Sequence, residues 1–216
     1  MDEQSTQPAT PDSIRFTEEM KGFITLGETD FDRGFREGKH HRRHTMFHLD
    51  IEVADVDRFV ADPAHEASAT GWVESEVLGG RLAAEKGIFN LWVDTDDPML
   101  TRMLYRLYFA DPTGAPLTLS GHKNVKDDPG FDVWADTTTL FTTIFKGHVD
   151  AAGEADAEVA GAGILTIHLM DFTKLLTTFR VEGPHRAHAL HEFGGLFLGK
   201  LWDLYKGPAA AAAGLD

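Results

Sequence analysis

The sequence contains no cysteine, and this absence removes several kinds of functional site. Without thiols the chain has no disulfide framework, no thiolate nucleophile and no cysteine-ligated zinc or iron–sulfur centre. Phosphate-binding, dinucleotide-binding, nucleophile-elbow and zinc-protease motifs are missing as well. We therefore expect no cofactor, no metal and no catalytic residue set of a recognised kind.

Positive charge is also scarce. The 216 residues include 20 Lys and Arg against 35 Asp and Glu, which gives a formal net charge of −15. Nucleic-acid binding depends on clustered Lys and Arg side chains that neutralise phosphates, so a nucleic-acid partner is not expected. An anionic membrane surface is disfavoured for the same reason.

Long apolar runs are absent too. The longest candidate for a membrane segment, Phe193–Gly199, is flanked by Glu192 and Lys200 and is far shorter than the ~18 residues of a span. The polar N-terminus does not resemble a secretory signal, so we predict a disordered leader over 1–14 on a cytoplasmic protein, and a flexible tail over 208–216. Between them, 42% hydrophobic and 25% charged residues are typical of a globular domain.

Two phrases recur in the same order along the chain. FTEEMKGFI at Phe16–Ile24 returns as FTTIFKGHV at Phe141–Val149, and LDIEVADVDRFV at Leu49–Val60 returns as LTIHLMDFTKLL at Leu165–Leu176. The two offsets, 125 and 116 residues, are similar. This self-similarity predicts a diverged duplication, with units at about 16–125 and 141–183, folded as a single pseudo-symmetric β domain over 15–207.

Much of the chain alternates between apolar and polar residues, which is typical of strands with one buried face. No long helical pattern separates successive strands, so we predict a mainly antiparallel all-β fold, either a barrel or a sandwich, with a packed C-terminal helix. The predicted strands are Phe16–Leu26, Phe47–Val53, Ala69–Val77, Arg81–Val93, Thr101–Phe109, Pro116–Val125, Leu140–Val149 and Leu165–Leu169.

Helices are predicted in three places. Two short ones follow strands in the two repeats and are expected to open at a capping Asp, Asp55 in one and Asp171 in the other. The C-terminal helix is predicted over about 184–205 because apolar residues recur there at helical spacing. Its predicted stripe consists of Leu190, Phe193, Phe197, Leu201 and Leu204.

Three clusters of potential metal ligands have simpler interpretations. The histidines of GKHHRRHTMFH are interpreted as part of a polar sheet edge. Those of the C-terminal helix are three residues apart, so their side chains point in different directions around the helix axis. The aspartates of NVKDDPGFDVWAD do not have the spacing of a calcium-binding loop. Whether the first cluster binds a metal is left open. The residues concerned are His40, His41, His44 and His48, then His185, His188 and His191, then Asp127, Asp128, Asp132 and Asp136.

A few polar residues interrupt otherwise apolar strands. Asn90 is predicted to share a face with Trp92, and Arg106 with Tyr108. If these faces turn inward, each polar group needs a partner or a ligand, because an unpaired buried amide or charge is costly, and an eight-stranded barrel can hold one small ligand. If they turn outward, water solvates them. Together with His122, these four residues form the predicted ligand-binding set.

Several phrases of the chain resemble a β-rich region attached to, or encoded with, actinobacterial cholesterol-oxidase-like flavin oxidoreductases of the glucose–methanol–choline class. They include FTEEMKGFI, GWVESEVLGGRL, GIFNLWVD, MLYRLYFAD, LTLSGHKNVKDDPGFDVWADTTTLFT and FGGLFLGKLWDLY. The dinucleotide-binding glycine motif and catalytic histidine region of the flavoenzyme have no counterpart here. The resemblance therefore implies an accessory to steroid or lipid oxidation, with a flavin oxidoreductase as its partner.

Three functions follow from these observations. The favoured one is a non-catalytic domain that binds an apolar metabolite of the steroid or fatty acyl type. The second is a small barrel enzyme, a hydrolase, lyase or isomerase, that uses His122 and Arg106. In the third, the chain is a protein-docking scaffold without a small ligand. Trp202 and Tyr205 lie beside the predicted helical stripe, so a homo-oligomer through them is a further hypothesis.

Overall fold

The computed structural model describes residues 10–126 and 138–197. Within them the chain forms strands β1 to β10 and helices α1 to α4. The strands are β1 Ser13–Leu26, β2 His44–Val53, β3 Glu66–Ser75, β4 Gly80–Ala84, β5 Lys86–Asp94, β6 Leu100–Ala110, β7 Pro116–Lys126, β8 Thr139–Lys146, β9 Val159–Thr166 and β10 Arg180–Glu182. The helices are α1 Phe31–His40, α2 Val56–Ala61, α3 Leu169–Thr178 and α4 186–197, and single 3₁₀ turns occupy Glu76–Leu78 and Glu154–Asp156.

Antiparallel pairing joins the strands in the order β1, β2, β3, β5, β6, β7, β8 and β9. β9 then returns to β1, pairing Lys21–Leu26 with Gly161–Thr166, so the sheet closes as an eight-stranded barrel. β4 pairs with the C-terminal part of β3 and β5 with its N-terminal part. The predicted all-β fold with a packed C-terminal helix is thus confirmed, and the closed pairing decides for the barrel over the sandwich.

Large side chains fill the barrel interior. The inward-facing positions of β1 and β2 are apolar at nearly every second residue, as the alternation predicts, and their exposure is close to zero. The largest fully buried side chains include Phe16, Phe47, Leu49, Ile51, Tyr105 and Leu107. This interior is therefore a packed core rather than an open channel.

Helix α1 connects β1 to β2 and packs against the outer surface of β1 and β9. The contact is close because α1 turns glycine towards the sheet: a Cβ atom on Gly34 would lie 2.0 Å from the carbonyl oxygen of Ala162. Asp30 caps the helix by accepting a hydrogen bond from the Arg33 N–H at 2.8 Å. No helix is predicted for this segment from the sequence. Its two aromatic residues, Phe31 and Phe35, lie four positions apart and contact Phe141 and Phe23 at centroid distances of 5.5 and 5.6 Å.

Helix α3 lies against β1 where β9 no longer pairs with it. The Thr17 N–H donates to Thr178 Oγ1 at 2.9 Å, and Lys21 forms an ion pair with Asp171 at 3.0 Å. The prediction that this helix opens at Asp171 is wrong, because it begins at Leu169 and Asp171 lies in its first turn. The matching prediction for Asp55 is confirmed, since the Asp55 carboxylate accepts the Arg58 N–H at 3.0 Å.

Helix α4 closes one end of the barrel through aromatic contacts. Phe193 contacts Phe16 and Phe59 at centroid distances of 6.1 and 5.8 Å, and Phe179 stacks on Phe16 at 4.9 Å. Phe193 and Phe197 are buried as predicted, but Leu190 is 53% exposed and does not belong to the buried stripe. The predicted leader up to residue 9, the tail, Leu201, Trp202, Leu204 and Tyr205 lie outside the described residues.

The predicted strand at Leu140–Val149 ends earlier, at Lys146, because the chain turns at Gly147 with a φ of +89°. The two repeated phrases lie on equivalent element orders, β1 with β2–α2 and β8 with β9–α3. The duplication itself stays a prediction. None of the described helices is long and apolar enough to cross a membrane.

Candidate functional site

Two of the five predicted ligand-binding residues, Asn90 and Trp92, lie on β5, where a bulge turns their side chains to opposite faces. Asn90 faces outward, and its side-chain amide donates to the Ala64 carbonyl oxygen at 3.0 Å. Between Asn90 and Val93 the pairing with β6 shifts, and Trp92, with a φ of +52°, turns inward and is 1% exposed. The prediction that Asn90 and Trp92 share a face is therefore wrong, because a bulge breaks the two-residue period.

The other three, Arg106, Tyr108 and His122, lie on the outer surface of β6 and β7. The strand faces that carry them therefore turn outward and do not line the barrel interior. Water nevertheless does not fully solvate them, since all three are only partly exposed. Part of their cover comes from the loop 147–158 that joins β8 to β9.

Arg106 holds this loop against the barrel. Its guanidinium forms an ion pair with Glu154 at 2.6 Å and donates to the carbonyl oxygen of Val149 at 3.0 Å, and the side chain is only 14% exposed. Glu154 also accepts a hydrogen bond from Ser120, at 2.5 Å. Because Arg106 and Ser120 are directly paired across β6 and β7, both anchors approach the loop from the same place.

Thr118 fixes the start of the same loop. Its hydroxyl donates to the Gly147 carbonyl oxygen at 2.8 Å and accepts the Val149 N–H at 2.9 Å. A ring nitrogen of His148 lies 3.2 Å from the Phe109 carbonyl oxygen. These contacts, together with the Arg106 ion pair, define the position of the loop along much of its length.

The loop forms one wall of a surface groove with a volume of about 950 Å³. The opposite wall is the junction of β4 and β5, and Tyr108 lies between the two. Residues of β6 and the end of β8 complete the lining, which consists of Ala83, Glu85, Lys86, Tyr108, Phe109, Ala110, Lys146, His148, Val149, Asp150, Gly153, Asp156 and Ala157.

The Tyr108 ring has a charged or polar neighbour on two sides. The Lys86 ammonium lies 5.8 Å from the ring centroid, within the range of a cation–π contact, and the His148 ring meets it edge-on at 5.4 Å. Lys146, the other lysine of the groove, forms an ion pair with Glu158. The groove therefore combines an aromatic surface with polar groups of both signs at its margin.

His122 lies apart from the groove, in an aromatic contact with Phe31 of α1 and Phe141 of β8 at 5.8 and 5.4 Å. Burial lowers the pKa of His122, and the positive charge of Arg102 lowers it further, while Glu154 opposes the shift. Ser120, two residues before His122 on β7, donates its hydroxyl hydrogen to Glu154. The geometry thus separates His122 from the residues that line the groove.

A second polar cluster is enclosed in the barrel. The Lys123 ammonium donates to Glu18 Oε1 at 2.8 Å, and the Tyr105 hydroxyl donates to Glu18 Oε2 at 2.9 Å. The side chains of Lys123 and Glu18 are 3% and 4% exposed. Burial, together with the charge of Glu18, raises the pKa of Tyr105 well above its ordinary value. In this cluster the Glu18 carboxylate is bonded to both Lys123 and Tyr105, so the buried charges of Glu18 and Lys123 compensate each other.

The histidine clusters form no metal centre in the part of the chain that the structure describes. There, no group of three or more His, Asp or Glu side chains is arranged to hold an ion. His48 instead bonds to Glu19 at 2.9 Å and stacks on Trp72. Asp127, Asp128, Asp132 and Asp136 lie outside the described residues.

With this geometry established, we compared the chain with known proteins. No match was found. The searches covered protein-family models, curated proteins and solved structures. The resemblance to the region associated with flavin oxidoreductases therefore stays a prediction.

Tyr108 and Arg106 are predicted from the sequence. Lys86 and His148, which flank the Tyr108 ring in the groove, and Glu154, which pairs with Arg106 to hold the loop, are not. Lys86 and His148 lie within the predicted strands Arg81–Val93 and Leu140–Val149, where the alternation does not mark them as site residues, and Glu154 lies in a polar loop. A signal was available for the loop, because an Arg inside the strand MLYRLYF requires an anion, but the sequence does not show which of many carboxylates supplies it.

Proposed function

We propose that this chain is a non-catalytic binding domain for an apolar metabolite of the steroid or fatty acyl type, with a role in cytoplasmic lipid or steroid oxidation. The observation that carries the proposal is the groove beside Tyr108. Its volume of about 950 Å³ lies within the range of small-molecule sites, roughly 300–1,000 Å³.

The lining of the groove suits such a ligand. Tyr108, Ala83, Ala110 and Val149 offer aromatic and aliphatic surface to an apolar body. Lys86 and the carboxylates at the margin can donate to or accept from an oxygen atom at the end of the ligand. A few polar groups around an apolar surface are the usual means by which a site fixes the orientation of its ligand.

The fixed loop adds a further argument. A binding wall that is already ordered loses little conformational entropy when a ligand arrives, which improves affinity. Arg106 and Thr118 provide that order through their contacts with Glu154, Gly147 and Val149. In this account Arg106 is a positioning residue for the groove and does not itself contact the ligand.

The steroid or fatty acyl identity and the flavin oxidoreductase partner rest on the sequence resemblance. The enzyme alternative has less support, because Arg106 bonds to the loop whereas His122 packs between aromatic rings. The scaffold alternative does not account for the groove beside Tyr108.

Titration with two probes tests the proposal: fluorescent cis-parinaric acid as a fatty acyl probe and progesterone as a steroid. We expect saturable binding of at least one probe and an affinity about tenfold lower for Tyr108→Ala, which removes the aromatic surface of the groove. Phe35→Ala, an aromatic truncation on α1 away from the groove, is the matched control and should bind as the wild type does. Failure of both probes to bind, or equal losses in the two variants, would overturn the proposal.

A further inference from the structure

Residues 36–44, which we call the basic turn, concentrate positive charge on an acidic protein. The sequence REGKHHRRH contains four Lys or Arg residues and one acid, Glu37, whereas the whole chain has a net charge of −15. The turn joins the end of α1 to the start of β2, and Arg36, Lys39 and Arg42 are exposed there, with Arg43 partly exposed.

The cations of the basic turn have no ion pair within residues 10–126 and 138–197. Elsewhere the chain pairs many of its cations, including Arg33 on the same helix, which contacts Glu28 at 3.2 Å. Although the chain contains 35 acidic residues, these four neighbouring cations have no carboxylate partner among the described ones. The Lys39 ammonium lies 5.7 Å from the centroid of the Phe35 ring.

The backbone holds this surface in a defined shape. The Arg42 N–H donates to the Lys39 carbonyl oxygen at 3.1 Å, and the Arg43 N–H donates to that of Gly38 at 2.9 Å. These are the two hydrogen bonds of a Schellman motif, in which the residue after the helix cap takes the left-handed conformation. That residue is Arg42, with a φ of +56°.

Arg42 is a poor choice for folding alone. The left-handed position strongly favours glycine, and a side chain there costs about 1 kcal/mol. Cations in the last turn of α1, such as Lys39, stabilise the helix through a favourable interaction with its dipole. That explanation does not extend to Arg42, which lies beyond the helix and occupies a position where glycine would serve the fold better.

We propose that the basic turn is a docking surface for an acidic protein segment, a short run of Asp and Glu side chains on a partner. Guanidinium groups match carboxylates in geometry, and Arg42 and Arg43 are adjacent. A duplex or an anionic bilayer would extend past the turn and face the rest of this acidic chain, which disfavours both. A short acidic segment needs to meet only the turn itself.

The test uses a fluorescein-labelled octaglutamate peptide and the full chain at low salt. We expect Arg42→Gly to weaken binding about fivefold, as the loss of one charged contact would. Because glycine suits the left-handed position, the same variant should melt at the wild-type temperature or about 2–4 °C higher. A loss of binding without a loss of stability separates docking from a structural role.

Arg58→Gln is the matched control, because it removes an exposed positive charge from α2, outside the turn. It should leave octaglutamate binding unchanged. Three results would each overturn the proposal: no binding of octaglutamate by the wild type, equal weakening in both variants, or tighter binding to a heparin hexasaccharide or to phosphatidylserine vesicles than to octaglutamate.

Discussion

Glu18 and Glu19 are neighbours on β1, yet they face opposite sides of the barrel wall. Glu18 points inward, has a 4% exposed side chain and accepts hydrogen bonds from Lys123 and Tyr105. Glu19 points outward, has a 16% exposed side chain and accepts hydrogen bonds from His48 and Lys174. Two adjacent glutamates thus have different surroundings: Glu18 belongs to a buried ion pair, and Glu19 to a partly exposed network of polar side chains.

The difference between these two sites shows that polar side chains have different roles inside and outside the barrel. Inside, water cannot replace a lost partner, so each charge depends on the other and the cluster fixes the packing of the core. Outside, water screens the charges, and the polar clusters instead hold peripheral elements against the barrel: Glu19 holds α3 through Lys174, and Arg106 holds the loop 147–158. The candidate binding groove lies on the outer side, where such an element forms its wall.

The largest expected effect comes from breaking the interior pair. Lys123→Met leaves the Glu18 carboxylate buried without its cation, and should lower the free energy of unfolding by about 3–5 kcal/mol. Urea denaturation followed by circular dichroism measures it. Adding Glu18→Gln should restore a large part of the loss, because it removes the unpaired charge. A single variant as stable as the wild type would show that the pair is not what the core depends on.

Next in size is the contact that holds the loop. Arg106→Gln removes the ion pair with Glu154 and the hydrogen bond to Val149, both partly buried, and should cost about 1–3 kcal/mol. Hydrogen exchange should accelerate over residues 147–158. Arg102 lies on β6 with Arg106 and donates an exposed hydrogen bond to Asn124 on β7, so Arg102→Gln is the control and should leave the loop protected. Unchanged exchange in Arg106→Gln would refute the positioning role.

The outer glutamate should give a smaller, pH-dependent effect. Burial raises the pKa of Glu19, but hydrogen bonds from His48, Lys174 and Lys21 and the charge of Lys174 outweigh it and lower the pKa from 4.5 to about 2. A carboxyl whose pKa is lower in the folded state stabilises the fold above pH 4.5 and loses that contribution as the pH falls towards 2.

Glu19→Gln should therefore be less stable than the wild type by about 1–2 kcal/mol at pH 7, and the difference should shrink to nearly zero near pH 2. Denaturation curves recorded between these limits provide the measurement. A difference that does not depend on pH would mean that Glu19 acts through packing rather than charge.

The smallest effect is expected where both partners are exposed. Lys146 and Glu158 pair on the surface with 58% and 68% exposed side chains, so Lys146→Gln should change stability by no more than about 0.5 kcal/mol. The same denaturation assay checks it. A loss of unfolding free energy as large as that of Lys123→Met would contradict the expected difference between buried and exposed ion pairs.

Most strands are predicted from the sequence because their two-residue period is local. The predicted strand Arg81–Val93 is in fact β4 and β5, and the one at Leu165–Leu169 is wrong beyond Thr166, where β9 ends before α3 begins at Leu169. The sequence does not decide barrel closure, which depends on pairing between β1 and β9, far apart in the chain. It also fails at Trp92, where a bulge reverses the face, and at α1, where a close glycine contact and two aromatic side chains hold a helix that was not predicted. Each failure has a tertiary cause that no local pattern records.

The candidate site was predictable only in part. Tyr108 and Arg106 stand out as polar or aromatic residues within a strand, but alternation leaves open which of the two faces is the inner one. Here the inner face also carries charge, as Glu18 and Lys123 show. The sequence could not show, either, that the partner of Arg106 would come from the loop after β8.

If a ligand binds in the outer groove, the interior cluster of Glu18, Tyr105 and Lys123 should serve only the fold. Hydrogen exchange can be measured by mass spectrometry with and without saturating progesterone. We expect protection at residues 83–86, 108–110 and 146–157, with the strand segments around Glu18, Tyr105 and Lys123 unchanged. Protection confined to those interior segments would mean that the ligand binds inside the barrel and not in the groove.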